Sequence, residues 1–325
     1  MSISAQDVKK LRDMTGAGMM DCKKALTESS GDLDGAIDYL RKKGQKVAAK
    51  RADREANEGV VVAITNDDNS KGIVVSVSCE TDFVAKNEDF QLFVKSIANA
   101  ALENFPADKE ALLALPLDGA TIGDKLIDHT GKIGEKIEVA QYEILEGENI
   151  ASYIHAGSKI GVLVSYRDGG KEGADQFFRG LAMHIAAMSP SILHYTQFEA
   201  DYIAKETEAY QNQVKIENEE RDRLGKHLLN VPQYVSQTQL TEEVMNAAAD
   251  GIREELKAEG KPEQIWDKII PGKLERFVAD NTLLDKEHCL LNQNYALDDS
   301  KSVEAAIADF NADASVIEFK RVAVG

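Results

Sequence analysis

Few residues of the sequence have the types and spacing that chemistry requires. Cys79 could serve as a nucleophile if His155 or His184 acted as its base. Cys79 ends an alternating apolar segment, however, where a small buried thiol is the ordinary explanation. The sequence has no GxxxxGKS/T phosphate loop and no HExxH zinc motif, and its carboxylates show no spacing typical of an acid–base pair. These features favour a protein that is not an enzyme and that carries no catalytic residue, metal site or cofactor.

The residues after Cys79 form the most informative polar and aromatic group. Thr81, Asp82, Phe83 and Val84 lie between a predicted strand and a predicted helix. Thr81 or Asp82 could cap that helix, because short polar side chains accept hydrogen bonds from a first helical turn. Phe83 could pack into the core, as large apolar residues often do. Composition alone favours these structural roles over a binding role.

The charge distribution separates the N-terminus from the rest of the chain. The net charge of the 325 residues is −18, which disfavours direct nucleic-acid binding because phosphates would be repelled. Residues 1–57 carry twelve Lys or Arg and nine Asp or Glu, a net charge of +3, which leaves −21 for the remainder. This asymmetry indicates a separate N-terminal module on an acidic body that suits a protein partner.

Targeting and redox signals are absent from the sequence. No run of about 18 apolar residues occurs, so no membrane span is expected. The first residues lack the apolar core of a signal peptide. The three cysteines (Cys22, Cys79 and Cys289) are far apart, which argues against a disulfide framework or a zinc site. These observations predict a reducing, cytoplasmic location.

The N-terminal residues predict three short helices between residues 4 and 44. Ser4 and Asp7 have capping-box spacing at the start of the first helix. Met20 and Cys22 belong to the apolar side of the second helix. We expect Gly44 to end the third helix and residues 45–58 to form a solvated linker helix.

The body of the protein is predicted to contain an internal repeat. Residues 59–64 and 72–78 form a first hairpin, followed by a helix, a second helix and a strand at 136–145. The same order recurs with a hairpin at 150–155 and 160–166 and a last strand at 315–322. This repeat predicts two α+β subdomains with small antiparallel sheets covered by helices.

The second half also contains a long, charged helical insertion. Residues 198–229 predict one helix, Pro232 breaks it, and Thr241 caps a second helix that runs to Leu256. We expect the two helices to form an antiparallel hairpin that projects from the body. A solvated arm without a ligand is the simpler alternative.

Two motifs give the sequence a family resemblance. Residues 8–12 and 15–26 are similar to the opening signature of elongation factor Ts, and residues 81–84 closely resemble its diagnostic loop. Further matches occur at residues 153–164, 184–190, 260–277 and 289–293, so the resemblance covers essentially the whole chain. It implies a three-helix domain of the ubiquitin-associated type at the N-terminus.

The resemblance also implies a domain organisation. The expected segments are an N-terminal module with its linker helix, an N-subdomain, a C-subdomain in two pieces and an inserted helical arm: 1–55; 56–148; 149–198 with 280–325; and 199–279. Residues 191–231 look extra relative to a typical bacterial member. The arm is therefore enlarged, and the sequence does not determine whether it makes a homodimer or contacts a partner.

The function that the resemblance implies is guanine-nucleotide exchange on elongation factor Tu during protein synthesis. Thr81, Asp82, Phe83 and Val84 would then disturb the Mg²⁺ site of the GDP-bound partner. Other contacts with the partner are implied for the residues that match the family contacts: Arg12, Met19, Met20 and His155. Without the resemblance, the methionines would be assigned to a core and His155 to solvent.

Two rival functions remain. The first is the enzyme with Cys79 as nucleophile. The second is a non-enzymatic adaptor that binds peptides through the ubiquitin-associated-like module. An adaptor would have no need for residues 81–84, and this loop is what favours exchange.

Overall fold

The computed structural model describes residues 3–325, apart from the side chain of Ala156. Its α-helices are α1 Ala5–Thr15, α2 Met19–Glu28, α3 Leu33–Arg51, α4 Asp82–Ala85, α5 Glu88–Asn104, α6 Lys109–Ala114, α7 Ile122–Ile133, α8 Ala174–Met188, α9 Ala200–Arg223, α10 Glu242–Ala258, α11 Trp266–Asp280, α12 Leu283–His288 and α13 Val303–Phe310. Its strands are β1 Glu58–Thr65, β2 Lys71–Cys79, β3 Pro116–Leu117, β4 Ala120–Thr121, β5 Glu138–Glu146, β6 Asn149–His155, β7 Ile160–Arg167, β8 Asn294–Tyr295, β9 Asp298–Ser302 and β10 Ser315–Ala323.

The chain separates into two compact units. The first contains residues up to Ala186 together with Asp313–Gly325, and the second is Ala187–Ala312. The finer division into four segments stays a prediction. Within residues 3–325, no helix combines the length and apolar character needed to cross a membrane.

Two three-stranded antiparallel sheets confirm the predicted α+β fold and its internal repeat. Their strand orders are β1-β2-β5 and β6-β7-β10. In each sheet the second strand of the hairpin is central, and the last strand pairs with the edge of this central strand that the hairpin leaves free. The final strand follows a short hairpin and a helix in both halves: β3–β4 and α7 in the first, β8–β9 and α13 in the second.

Strands β1 and β2 of the first sheet are buried on both faces, which explains why they are almost continuously apolar. Val60 and Val62 pack with α5 and α7 in one cluster, whereas Val61 and Val74 pack in a second cluster with residues of the other sheet. Gly161 allows this approach, because a Cβ there would lie 2.7 Å from Val61 Cγ1. The two sheets therefore provide a rigid base for the loops at their ends.

The N-terminal module consists of the three predicted helices around one small core. Ser4 and Asp7 form the predicted capping box on α1. Cys22 is buried in the core as predicted, but Met20 is exposed, so its placement on the apolar side of α2 was wrong. Whether the module is of the ubiquitin-associated type stays a prediction.

The predicted end of the third helix at Gly44 was also wrong. Helix α3 continues through Gly44 to Arg51, so the first half of the expected linker belongs to this helix. Gly44 is needed for packing, since a Cβ at this position would lie 3.1 Å from the carbonyl oxygen of Ile127 in α7. Across the same crossing, a Cβ at Gly131 would lie 2.7 Å from Gly44 Cα. The two glycines let α3 and α7 touch backbone to backbone.

The second unit differs from the predicted arm in two respects. Helix α9 ends at Arg223 rather than at residue 229, because Gly225 adopts a φ of +63° and Lys226 N donates to Arg221 O over 2.9 Å, a glycine-type C-terminal cap. Helix α9 packs in a cluster with Val235 and Leu284. Helix α10 packs against α11, and Glu255 and Lys273 form an ion pair between them at 2.8 Å. The helical pair is therefore α10 with α11.

Candidate functional site

Phe83 lies on a short exposed turn between the first hairpin and α5. Helix α4 has four residues, begins after Thr81 and includes Asp82, Phe83 and Val84. The side chain of Phe83 is 82% exposed, so packing into its own core is excluded. Val84 packs against the core cluster, and the following Ala85 is buried. The turn thus fixes its apolar end in the protein and presents a bare phenyl ring to its surroundings.

Glu135 anchors the N-terminal side of this turn. Its carboxylate accepts hydrogen bonds from Glu80 N at 3.2 Å, from Thr81 N at 3.0 Å and from Thr81 Oγ1 at 2.7 Å. Thr81 is the residue before α4, but its hydroxyl makes no cap hydrogen bond, and it donates to Glu135. Sequence reasoning missed Glu135, which is 54 residues away from Thr81.

Glu80 makes a second link in the opposite direction. Its carboxylate accepts from Lys136 N at 2.6 Å and from Arg51 Nη1 at 2.7 Å. Burial opposes ionisation of Glu80, but the Lys136 amide and the Arg51 guanidinium together hold the pKa of the carboxyl below its usual value. The negative charge therefore stays in place and joins the turn to the end of α3.

Asp82 is held within the turn itself. Its carboxylate lies 2.7 Å from Lys86 Nζ, and this hydrogen bond lowers the pKa of Asp82 below its usual value. Asn87, and not Thr81 or Asp82, caps the long helix α5 by accepting from Phe90 N at 3.1 Å. The capping role expected for Thr81 or Asp82 on this helix was wrong, because a separate short helix intervenes.

Cys79 has the environment of a packing residue. It is buried, its thiol donates to Thr81 O over 3.2 Å, and burial raises the pKa of the thiol to about 12. A nucleophilic cysteine needs a lowered pKa and access to a substrate. The surroundings of Cys79 offer neither feature.

His155 is the last residue of β6, directly before the turn of the second hairpin. It is exposed, and its Nδ1 is 3.2 Å from the hydroxyl of Tyr153. Lys159, after the turn, forms an ion pair with Glu58, and Glu58 pairs with Cys79 in the strand register. The structure therefore brings the His155 turn and residues 81–84 to one edge of the first unit.

The remaining predicted site residues lie on the N-terminal module. Arg12 is exposed, and Met19 and Met20 are 59% and 76% exposed, which excludes a shared place in the core. The module core ends near Leu40, and Arg51 lies 11 residues further along α3, about 16 Å at 1.5 Å per residue. Met20 adjoins Asp21, which forms an ion pair with Lys43 of α3, so the predicted contact residues of α2 lie beside the middle of α3, whereas Arg51 ends this helix.

Exposed apolar side chains on anchored elements are typical of proteins that bind another macromolecule. Among residues 3–325, no group of three or more His, Cys, Asp or Glu side chains could hold a metal ion. The family model described as elongation factor TS matches residues 80–227 and 229–325.

Curated relatives agree with this match. The chain is 62% identical to elongation factor Ts of Rhodopirellula baltica over 325 residues, which cover 99% of each chain. It is 49% identical to that of Flavobacterium johnsoniae over 324 residues, 100% of this chain and 99% of the relative. It is 44% identical to that of Helicobacter pylori over 333 residues, 99% of this chain and 94% of the relative. The chain belongs to the elongation factor Ts family, whose name places it in the elongation step of protein synthesis.

Proposed function

We propose that this chain is a cytoplasmic guanine-nucleotide exchange factor for elongation factor Tu. It binds the GDP-bound partner, disturbs the Mg²⁺ and phosphate site, and leaves a nucleotide-free complex after GDP departs. It acts by binding alone and is not an enzyme. The observation that carries this proposal is the exposure of Phe83 on a turn whose two ends are fixed in the protein.

The mechanism follows from what Mg²⁺ requires. Mg²⁺ needs near-ideal octahedral oxygen coordination and bridges protein and phosphate oxygens in nucleotide sites. A phenyl ring inserted beside such a site need not replace the ion, because a displacement of about 1 Å is enough to damage a finely positioned site. Loss of the metal leaves the diphosphate charge less neutralised, so GDP dissociates faster. Asp82 adds a negative charge, which Lys86 partly offsets.

The other exposed residues supply docking contacts in this proposal. Met19 and Met20 offer flexible, polarizable surface, and Arg12 is of a type enriched among interface anchors. His155 extends the contact around the 81–84 turn. Binding of the factor and binding of GDP must then weaken each other by the same factor, because coupling between two sites is reciprocal.

The test is the release of a fluorescent GDP analogue from elongation factor Tu, followed by stopped-flow fluorescence over a range of factor concentrations. Phe83→Ala should lower the maximal release rate by about 30-fold, the equivalent of an interface hot spot of about 2 kcal/mol. The matched control is Leu92→Ala, which removes another exposed apolar side chain, 62% exposed, from α5. The control should behave like the unaltered protein.

An unchanged release rate with Phe83→Ala would refute the role of Phe83 in the mechanism. If elongation factor Tu exchanged its nucleotide at the same rate with or without the unaltered protein, exchange itself would be refuted. The adaptor function, which the exposed Met19 and Met20 also suit, would then be the better explanation, and Met20→Ala should weaken capture of helical peptides by the full chain.

A further inference from the structure

We propose that Glu135 is a positioning residue for exchange: it holds the 81–84 turn in the conformation that aims Phe83 outward, and Glu80 with Arg51 holds the opposite side of the same junction. This inference rests on the proposed exchange function. Glu135 lies in the connection between α7 and β5. This connection therefore contributes to the activity, although none of the predicted contact residues lies on it.

Helix α4 cannot orient Phe83 by its own stability. It has four residues, a single turn, and one isolated turn of helix is unstable in water. Phe83 is too exposed to contribute an anchoring contact within the chain. The direction of the ring therefore depends on how the two ends of the turn are fixed.

The C-terminal end is fixed by packing. Val84 packs against the apolar cluster, Ala85 is buried, and the Gln91 side chain donates to Ala85 O at 3.2 Å. Apolar contacts of this kind set the depth of a segment, but they are not directional. Besides the single Gln91 bond, the directional constraints on the turn come from its other end.

The N-terminal end is fixed by a reciprocal pair of contacts between two chain segments. The Glu135 side chain accepts from the backbone of Glu80 and Thr81, while the Glu80 side chain accepts from the backbone of Lys136. Each glutamate thus binds the backbone beside the other one. Hydrogen bonds to an ionised carboxylate are shorter and stronger than neutral ones, and two in opposite directions restrict both rotation and sliding.

Arg51 extends this junction to the N-terminal module. Its guanidinium reaches both carboxylate oxygens of Glu80, at 2.7 and 2.8 Å. Because Arg51 is the last residue of α3, the helix that carries the module core also contacts the base of the turn. The junction therefore connects the turn that carries Phe83 to α3, against which α2, the helix of Met19 and Met20, packs.

The positioning role is tested by measuring the maximal GDP release rate from elongation factor Tu and the factor concentration that gives half of this rate. Glu135→Ala should lower the maximal rate by about 10- to 100-fold, as misplacement of a positioned group by about 1 Å does. The half-saturating concentration should change less than threefold, because the docking side chains remain. Glu135→Gln keeps one acceptor oxygen, so its maximal release rate should lie between those of the unaltered protein and Glu135→Ala. The control is Glu138→Ala, which removes only the ion pair with Lys136 Nζ at 2.9 Å.

A double-mutant cycle separates positioning from a merely structural role. If Glu135 acts through Phe83, the double variant Glu135→Ala with Phe83→Ala should release GDP at the rate of Phe83→Ala alone. Multiplicative losses, or a loss confined to the half-saturating concentration, would overturn the positioning role. If Glu135→Ala lowers stability, as judged by far-UV circular dichroism, Thr81→Val replaces it in the cycle, because it removes one bond and leaves Glu135 its backbone donors.

The same variants separate this inference from the proposed function. A slow Phe83→Ala variant with a normal Glu135→Ala variant refutes the positioning role and leaves exchange intact. A normal Phe83→Ala variant refutes the exchange mechanism itself, and the positioning role fails with it.

Discussion

The close contact between α3 and α7 determines how a substitution at Gly131 should change the free energy of unfolding. Substitution Gly131→Ala adds one methyl group at the point where the two helices touch. Its Cβ would lie 2.7 Å from Gly44 Cα, whereas carbon atoms pack best at about 3.5–4.0 Å. The obstacle is backbone and cannot rotate away, so the helices must separate by about 1 Å.

Two effects of opposite sign determine the magnitude. Overpacking a tight contact costs about 1–3 kcal/mol. Replacing glycine by alanine within a helix contributes about 1 kcal/mol of stability. The net expectation for Gly131→Ala is therefore a loss of about 0–2 kcal/mol. Gly251→Ala in α10 is the matched control, because no atom lies within 4 Å of the added Cβ, and it should gain up to about 1 kcal/mol.

The assay is urea denaturation followed by far-UV circular dichroism, together with hydrogen exchange of peptides from α1, α2 and α3. Gly131→Ala should fall below Gly251→Ala in free energy of unfolding by about 1–3 kcal/mol. It should also exchange faster in α3, where the contact is lost. Equal stabilisation by the two substitutions would refute the close backbone contact.

Three further predictions concern single residues. Burial raises the pKa of Cys79 to about 12, so iodoacetamide at pH 8 should not label this thiol in the native protein, and rapid labelling seen by mass spectrometry would contradict its burial. Burial lowers the pKa of His129 from 6.5 to about 4 in the native protein, so between these pH values the unfolded chain binds a proton that the native protein does not. The free energy of unfolding should therefore fall as the pH drops from 6.5 to 4. His129→Gln should reduce this pH dependence in urea titrations. Asn87→Ala should cost about 1 kcal/mol of unfolding free energy by removing the α5 cap, and Asn87→Asp should retain most of it; equal loss in both variants would argue against capping.

Most secondary structure could be predicted because its signals are local. The hairpins follow from apolar strands around short polar turns, and the three N-terminal helices follow from capping residues and glycines. The errors arose where a local signal met a distant contact. Gly44 looked like a helix stop, yet it lies inside α3 because another helix backbone passes within contact of it.

The candidate site was predictable as a motif but not as a geometry. Thr81 and Asp82 have the residue types of helix caps, and the structure instead turns the Thr81 hydroxyl toward Glu135 and the Asp82 carboxylate toward Lys86. Composition also assigned Phe83 to the core, because aromatic residues are usually buried. Its exposure depends on a four-residue helix that periodicity cannot detect.

The sequence by itself determined the two-copy α+β body, the helical N-terminal module and the family, since periodicity, turn residues and motifs are properties of neighbouring residues. Only the tertiary structure decided that Phe83 faces outward, that Glu135 binds the backbone of Glu80 and Thr81 while Glu80 binds the backbone of Lys136, and that Arg51 joins α3 to this junction. The physical reason is that these contacts link residues 29 to 56 positions apart, and only the folded sheets and the close glycine crossing bring them within hydrogen-bonding distance.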